Sequence, residues 1–322
     1  MAETQIHFFW LSGMKGINLF LNGSRRLLAQ LHITIPNRIR TVTLNTLDLI
    51  GSPRDQLVAP LRLRHVIGQD DDYDGQAFVQ LLVENCGLKP NSAVLDVGCG
   101  CGRMALALTK QLNRNGSYDG FDIVKDFVDW CQTNVTPVYS NFHLQHANIY
   151  NKSYNPNGRT RAADYKFPYP DETFDIVFLS SVFTHMLPKD LENYLHEIVR
   201  VMKKNAKCLV TYFVLNAETQ RQTDAKQSLV TFFEADGYFT TDRAVPENAV
   251  GYKEEHIQQL YDDVGLEIIQ PIHYGDWSGR PSRTGYQDII IATKTSCKLQ
   301  TLVDLHENER EVPVERKVRR TL

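Results

Sequence analysis

The chain has 322 residues, 42% hydrophobic and 23% charged, with a net charge of −3. That suits an ordinary globular protein with a sizeable core. The near-neutral balance offers no electrostatic footprint for nucleic acid, and no apolar run reaches the length of about 18–20 residues that a membrane span needs.

Residues 1–75 read as an irregular N-terminal extension. Its first apolar stretch, from His7 to Leu21, is broken by Gly13, Lys15 and Gly16. It lacks a basic start and a small-residue cleavage site, so it makes a poor signal peptide. A helix packed on the main domain or on a second subunit is the expected use; a membrane-surface segment beside Arg25 and Arg26 is the alternative.

A regular pattern begins near Gly75. Phe78, Leu81, Leu82 and Cys86 are spaced as one helix face, which Gly87 stops. Ala93–Val97 is an apolar run of buried-strand type, followed by glycines at 98, 100 and 102 and by the helix formers of Arg103–Leu112. The alternation repeats: strand Ser117–Phe121 ending at Asp122, helix Asp126–Val135, strand Phe142–His146 and strand Thr173–Leu179. Pro188 sits at a first helical position, and Leu191, Tyr194, Leu195, Ile198, Val199 and Met202 repeat at helical spacing. Strand Cys208–Val214, a helix around Ile257–Val264, and strands Leu266–Ile269 and Gln287–Ala292 complete the series. The last two strands are joined by a stretch, 270–286, with two prolines, three glycines and no helical period, which predicts an antiparallel final strand.

These elements predict an α/β fold: a three-layer α/β/α sandwich around a seven-stranded, mostly parallel sheet whose last strand is antiparallel, with an N-terminal extension and cap inserts. The regular pattern marks a main domain spanning 76–294, with substrate-side inserts at 150–170 and 216–252 and a charged tail at 295–322.

The chemistry concentrates at the carboxyl ends of the strands, where open α/β sheets bind ligands. Asp96-Val-Gly98-Cys-Gly100-Cys-Gly102-Arg103 is the strongest signal. Its glycines let the backbone turn sharply and let a ligand approach the main chain. A dinucleotide fingerprint would need glycine or alanine at position 103, where this chain has arginine; this argues against a nicotinamide oxidoreductase. A carboxylate at Asp96 can accept hydrogen bonds from an ammonium group. Asp122, at the end of the next strand, can accept from ribose hydroxyls; its alternative use is as a helix cap, a role for which Asp126 is the better placed. His185, in Ser180-Ser-Val-Phe-Thr-His185, titrates near neutrality. It can serve as a general base on a substrate hydroxyl, or simply hold the loop by a ring hydrogen bond.

The D-x-G-x-G-x-G pattern and strand order resemble motif I of the class I, Rossmann-like S-adenosylmethionine-dependent methyltransferases, well over residues 75–215 and by topology over 250–294. The resemblance implies S-adenosyl-L-methionine as cofactor, with Asp96, Gly98, Gly100 and Gly102 around its methionine part. It also implies Asp122 on the ribose, and Asn148, Ile149 and Ser180 lining the rest of the site. Asn148 stands where relatives often carry an aspartate for the adenine amino group; its side-chain carbonyl can still accept. Phe167-Pro-Tyr-Pro-Asp171-Glu-Thr-Phe-Asp175 resembles the family's lead-in to its fourth strand. The Asn/Asp-Pro-Pro-Tyr/Phe motif of many nucleic-acid methyltransferases is missing after that strand.

The expected activity is O-methylation of a sugar or small-metabolite hydroxyl, the acceptor being a small molecule or a glycan. N- or C-methylation of a small molecule, and a non-catalytic protein that merely binds the cofactor, are the alternatives. The aromatics of the inserts, Tyr154, Phe232, Phe233, Tyr238 and Phe239, and Trp277 in the 274–280 loop that joins the last strands, suit such a substrate or a homodimer contact. Cys86, Cys99, Cys101, Cys131, Cys208 and Cys297 show no zinc spacing, so no metal is expected; they read as small buried side chains of a reducing, cytoplasmic compartment.

Overall fold

The computed structural model describes residues 44, 46, 56–67, 75–282 and 285–295. Most of the N-terminal extension, and the tail from residue 296 onward, lie outside the described residues, as does Cys297. Among the described residues no helix is long and apolar enough to cross a membrane.

A short helix α1 (Leu61–Arg64) precedes α2 (Gln76–Leu81), which runs on into a wider turn over Leu82–Cys86 and stops at Gly87. β1 (Ala93–Val97) follows, and the period of two along it sorts its side chains. Leu95 and Val97 enter one core and Val94 the other. Asp96 shares the face of Val94, among apolar neighbours. The helix α3 (Arg103–Leu108) is shorter than its run of helix formers suggests, because the chain tightens into i→i−3 turns at Lys110 and Gln111 before Asn113 bonds to Pro90. β2 (Ser117–Asp122), α4 (Lys125–Asn134), β3 (Phe142–His146) and β4 (Phe174–Leu179) complete this half.

α5 (Pro188–Val201) begins with proline at its first turn and buries Leu191, Tyr194, Leu195, Ile198 and Val201 against the sheet. Each such aliphatic side chain contributes roughly 1.5–3 kcal/mol on burial. β5 (Met202–Tyr212) starts directly from its last turn, six residues earlier than the apolar run indicates, since the fully buried Met202 pairs with Phe174 across a register shift. The chain then leaves the main sheet at β6 (Val214–Leu215) and forms α6 (Ala217–Asp224), capped by Asn216. Three more short strands follow: β7 (Phe233–Glu234), β8 (Phe239–Thr240) and β9 (Val250–Lys253). With β6 they make a second sheet, ordered β6-β9-β8-β7. The segment read as an irregular cap is therefore a small sheet, whose strands of two to four residues are too short to show alternation in sequence. After it come α7 (Glu254–Val264), β10 (Leu266–Ile268) and β11 (Asp288–Lys294).

The main sheet has seven strands in the order β10-β11-β5-β4-β1-β2-β3. β11 is antiparallel to both β5 and β10, while the other neighbouring pairs are parallel. One face packs on α5 and α7, the other on α2, α3 and α4. The architecture is the expected three-layer sandwich with a reversed final strand.

Candidate active site

The loop after β1 hangs from the end of β2: the amides of Gly98 and Cys99 both donate to the Phe121 carbonyl, at 2.9 and 3.1 Å. Gly98 has φ +81°, and a Cβ there would fall on Val182 Cγ2. Any side chain would be both strained and blocked. Asp122 closes the loop from below. Its Oδ2 accepts the Gly100 amide at 2.8 Å and its Oδ1 the Val124 amide at 2.8 Å. This corrects one sequence expectation. Asp126 sits inside the first turn of α4, and Asp122 is the carboxylate that bonds the entering backbone, two residues on.

Asp96 is 1% exposed and accepts the Tyr118 hydroxyl on Oδ2 at 2.7 Å. Burial pushes its carboxyl up to about 7, against the opposing pull of the Tyr118 hydrogen bond. Asp122 is raised too, again by burial, which its backbone hydrogen bonds oppose. Cys99, Cys101 and Cys131 surround the loop as buried thiols. Burial raises the Cys99 and Cys131 thiols, so they are packing groups and not nucleophiles.

These groups wall a cavity of about 530 Å³, together with residues from the ends of β2 and β4 and from both inserts. Asp96, Gly98, Gly100, Asp122, Ile149, Ser180 and His185 all line it, so one space gathers most of the residues chosen from sequence. Two do not line it. Gly102 turns away, at φ +84°, and a Cβ would sit 2.9 Å from Cys131 Sγ; its glycine is demanded by packing behind the loop. Asn148 is exposed, and its carbonyl accepts the Arg159 and Thr160 amides; Tyr150 and Asn151 line the cavity where it was expected.

Three contributors escaped the sequence reading. Ile67, just after α1, reaches over the glycine loop, in a segment read only as an extension. Arg103 lines the cavity with a buried Nε that has no hydrogen-bond partner among the described residues. Gln287 accepts the Ser181 hydroxyl at 2.9 Å, and Ser181 itself holds φ +61°.

At the opposite end, His185 Nδ1 lies 2.8 Å from the Glu247 carbonyl, and the ring meets Tyr154 edge-on at 5.7 Å. A carbonyl only accepts, so Nδ1 carries the proton and the neutral ring keeps its lone pair on Nε2. Burial lowers the His185 pKa, offset in part by the backbone of Glu247 and Asn248. Neutral imidazole is therefore favoured around pH 7, since the usual value is already about 6.5.

A family model described as a methyltransferase domain matches residues 88–265, more than half of the chain. The chain belongs to the class I S-adenosylmethionine-dependent methyltransferases. Among similar proteins is an uncharacterised one of Haemophilus influenzae, 26% identical over 151 residues, 46% of this chain and 53% of that protein. Another is the probable cobalt-precorrin-6B C(15)-methyltransferase (decarboxylating) of Thermoplasma acidophilum, 24% identical over 42% of this chain and 60% of that protein. The chain spans about half the length of the curated relatives it matches. A solved methyltransferase of Aquifex aeolicus is 18% identical, covering 76% of this chain and all of that one, with a TM-score of 0.46.

The methyltransferase cavity fits the family's cofactor, S-adenosylmethionine. It offers a buried carboxyl for an ammonium group, a guanidinium nitrogen that has no partner among the described residues for a carboxylate, and a second carboxylate on the next strand for a diol. Ile149, 2% exposed, offers an apolar wall.

Proposed function

We propose that this methyltransferase methylates a hydroxyl oxygen on a sugar or small metabolite, with His185 as the general base. When bound, S-adenosylmethionine supplies an electrophilic methyl group on a good leaving group. The chain's residues bind and align. Asp96 receives the ammonium of the methionine part, Asp122 the ribose hydroxyls through its remaining lone pairs, and Ile149 packs on the adenine. Ser180 and Gly98 shape the wall near the acceptor. Alignment of two bound reactants is itself worth several kcal/mol, of order 7–11 at best.

A hydroxyl acceptor needs one more thing, a group to take its proton. The observation that carries the proposal is the His185–Glu247 hydrogen bond of 2.8 Å, because it commits Nδ1 as donor and leaves Nε2 as the basic nitrogen of a cavity-lining ring.

Calorimetry with S-adenosylhomocysteine and with NAD tests the cofactor half. Binding of the first and not the second is expected; binding of NAD alone would refute it. A labelled-methyl transfer screen over glycans and small hydroxylated metabolites tests the acceptor half. Labelling of amines or carbon acids with no hydroxyl product would overturn the oxygen assignment.

A further inference from the structure

We infer that Thr240 and Asp242, neither of which lines the cavity, are positioning residues that hold the Glu247 carbonyl against His185 and so fix which ring nitrogen carries the proton. The inference rests on His185 being the working base. It concerns how a ring on the main sheet is set by a segment 62 residues away in sequence.

The Glu247 carbonyl belongs to a single tight turn, Pro246–Asn248, between β8 and β9. Nothing in regular secondary structure holds that turn. A knot of side-chain hydrogen bonds does. The Thr240 residue is 1% exposed, and its Oγ1 lies 2.9 Å from the Pro246 carbonyl and 3.0 Å from that of Asp242. The same oxygen accepts the Asp242 amide at 3.1 Å. Asp242 Oδ1 accepts the amides of Ala244 and Val245, at 2.8 and 3.2 Å, and Oδ2 accepts the Asn248 side-chain amide at 3.2 Å. The two residues thus bind both ends of the turn. Thr240 is in turn anchored by its pairing with Val250. Lys152, from the other insert, adds a tie to the Ala244 carbonyl at 2.9 Å.

The titratable and charged groups that share the cavity wall with His185 include Tyr154, which meets the ring edge-on, and Tyr150, Arg161, Asp190, Tyr194 and the Glu247 side chain, besides the groups of the glycine loop. Arg161 is paired with Asp164. Nδ1 meets the Glu247 carbonyl, and the Asn248 backbone also acts on the ring, so it is the Pro246–Asn248 turn that sets the tautomer there. If the turn shifts, Nδ1 loses its acceptor and the proton is free to move to Nε2, the nitrogen that catalysis needs unprotonated.

The test is ring-nitrogen NMR on the full chain labelled at histidine, with the His185 signal assigned by its loss in His185→Gln. Wild type is expected to hold the Nδ1–H tautomer above its titration midpoint. Thr240→Val and Asp242→Ala are expected to move His185 towards the Nε2–H form, while Thr240→Ser and Asp242→Asn, which keep a hydroxyl or an acceptor oxygen, stay closer to wild type. S-adenosylhomocysteine affinity is expected to change by less than about twofold in all four, since neither residue reaches the cavity wall. An Nε2–H tautomer in wild type, or an unmoved tautomer in folded Thr240→Val and Asp242→Ala, would overturn the inference. So would loss of cofactor affinity in step with the tautomer, which is what general loosening produces. Full turnover by His185→Gln with a shifted tautomer in Thr240→Val would instead remove the base and leave the positioning intact.

Discussion

The glycine loop and the acceptor roof enclose the same cavity from opposite ends, but they are assembled from different kinds of contact. At the glycine loop the parts are close in sequence. Asp96, Gly98, Gly100 and Asp122 lie within one strand-helix-strand unit, joined through backbone amides to Phe121 and Asp122. At the roof, His185 follows β4, Tyr154 lies on the first insert and Glu247 on the small second sheet. Side chains meeting single carbonyls hold that end. A backbone-built site depends on shape and tolerates little change. A side-chain-built site can be retuned one residue at a time, which suits the end that would meet the acceptor.

The comparison breaks most visibly through His185. His185→Gln is expected to lower turnover by about 100-fold or more, a usual span for loss of a general base, with S-adenosylhomocysteine affinity nearly unchanged. A parallel fall in affinity would show that the two ends are one site. Turnover should also rise with pH through a midpoint below the ordinary histidine value, because burial lowers the His185 pKa and the neutral ring is the active form.

Asp122→Ala is the matching change at the other end. Removing the carboxylate proposed to accept the ribose hydroxyls should weaken S-adenosylhomocysteine by about 100-fold, from roughly 3 kcal/mol of charged hydrogen bonding to the ligand. The melting temperature should fall as well, since Asp122 also ties the loop; unchanged affinity in calorimetry would remove it from the site.

A smaller effect separates the ends by pH. Asp96, raised to about 7 by burial, is half protonated there in the free protein, whereas a bound ammonium requires the carboxylate. Affinity for S-adenosylhomocysteine should fall as the pH drops below that value, by up to about tenfold per pH unit. Stability of the free chain runs the other way. A carboxyl with a raised folded pKa contributes stability at low pH that is lost as pH rises through about 7. Calorimetry in buffers of different ionisation enthalpy would read the proton released; no release would mean that Asp96 does not meet the ammonium.

The smallest change concerns Gly102. Gly102→Ala should cost about 1–2 kcal/mol of stability from its left-handed backbone, seen in thermal unfolding, while leaving cofactor affinity within about twofold. A large loss of affinity would return Gly102 to the cavity wall.

Much of the cofactor end was legible because its information is local. Strand periodicity, glycines at 98 and 100, and a carboxylate at the end of each of two strands all follow from short-range backbone rules. The errors arose where a side chain had a choice of neighbours. Asp126 has the residue type of a cap, but Asp122 reaches the Val124 amide first. Gly102 and Gly98 look equivalent in a motif, yet one faces Cys131 and the other Val182. Asn148 has its backbone committed to Arg159 and Thr160, which leaves it exposed outside the cavity. The strands β7 and β8 pair with partners that no local pattern announces.

By itself, then, the sequence determined the sandwich, the reversed last strand and the family, because apolar period, turn residues and glycine spacing act within a few residues of one another. Only the tertiary structure decided which nitrogen of His185 meets the Glu247 carbonyl, which glycine meets the cavity and that Ile67 closes over it. Those facts depend on groups far apart in the chain, such as His185 and Glu247 or Ile67 and Gly100, which meet only after the core has packed.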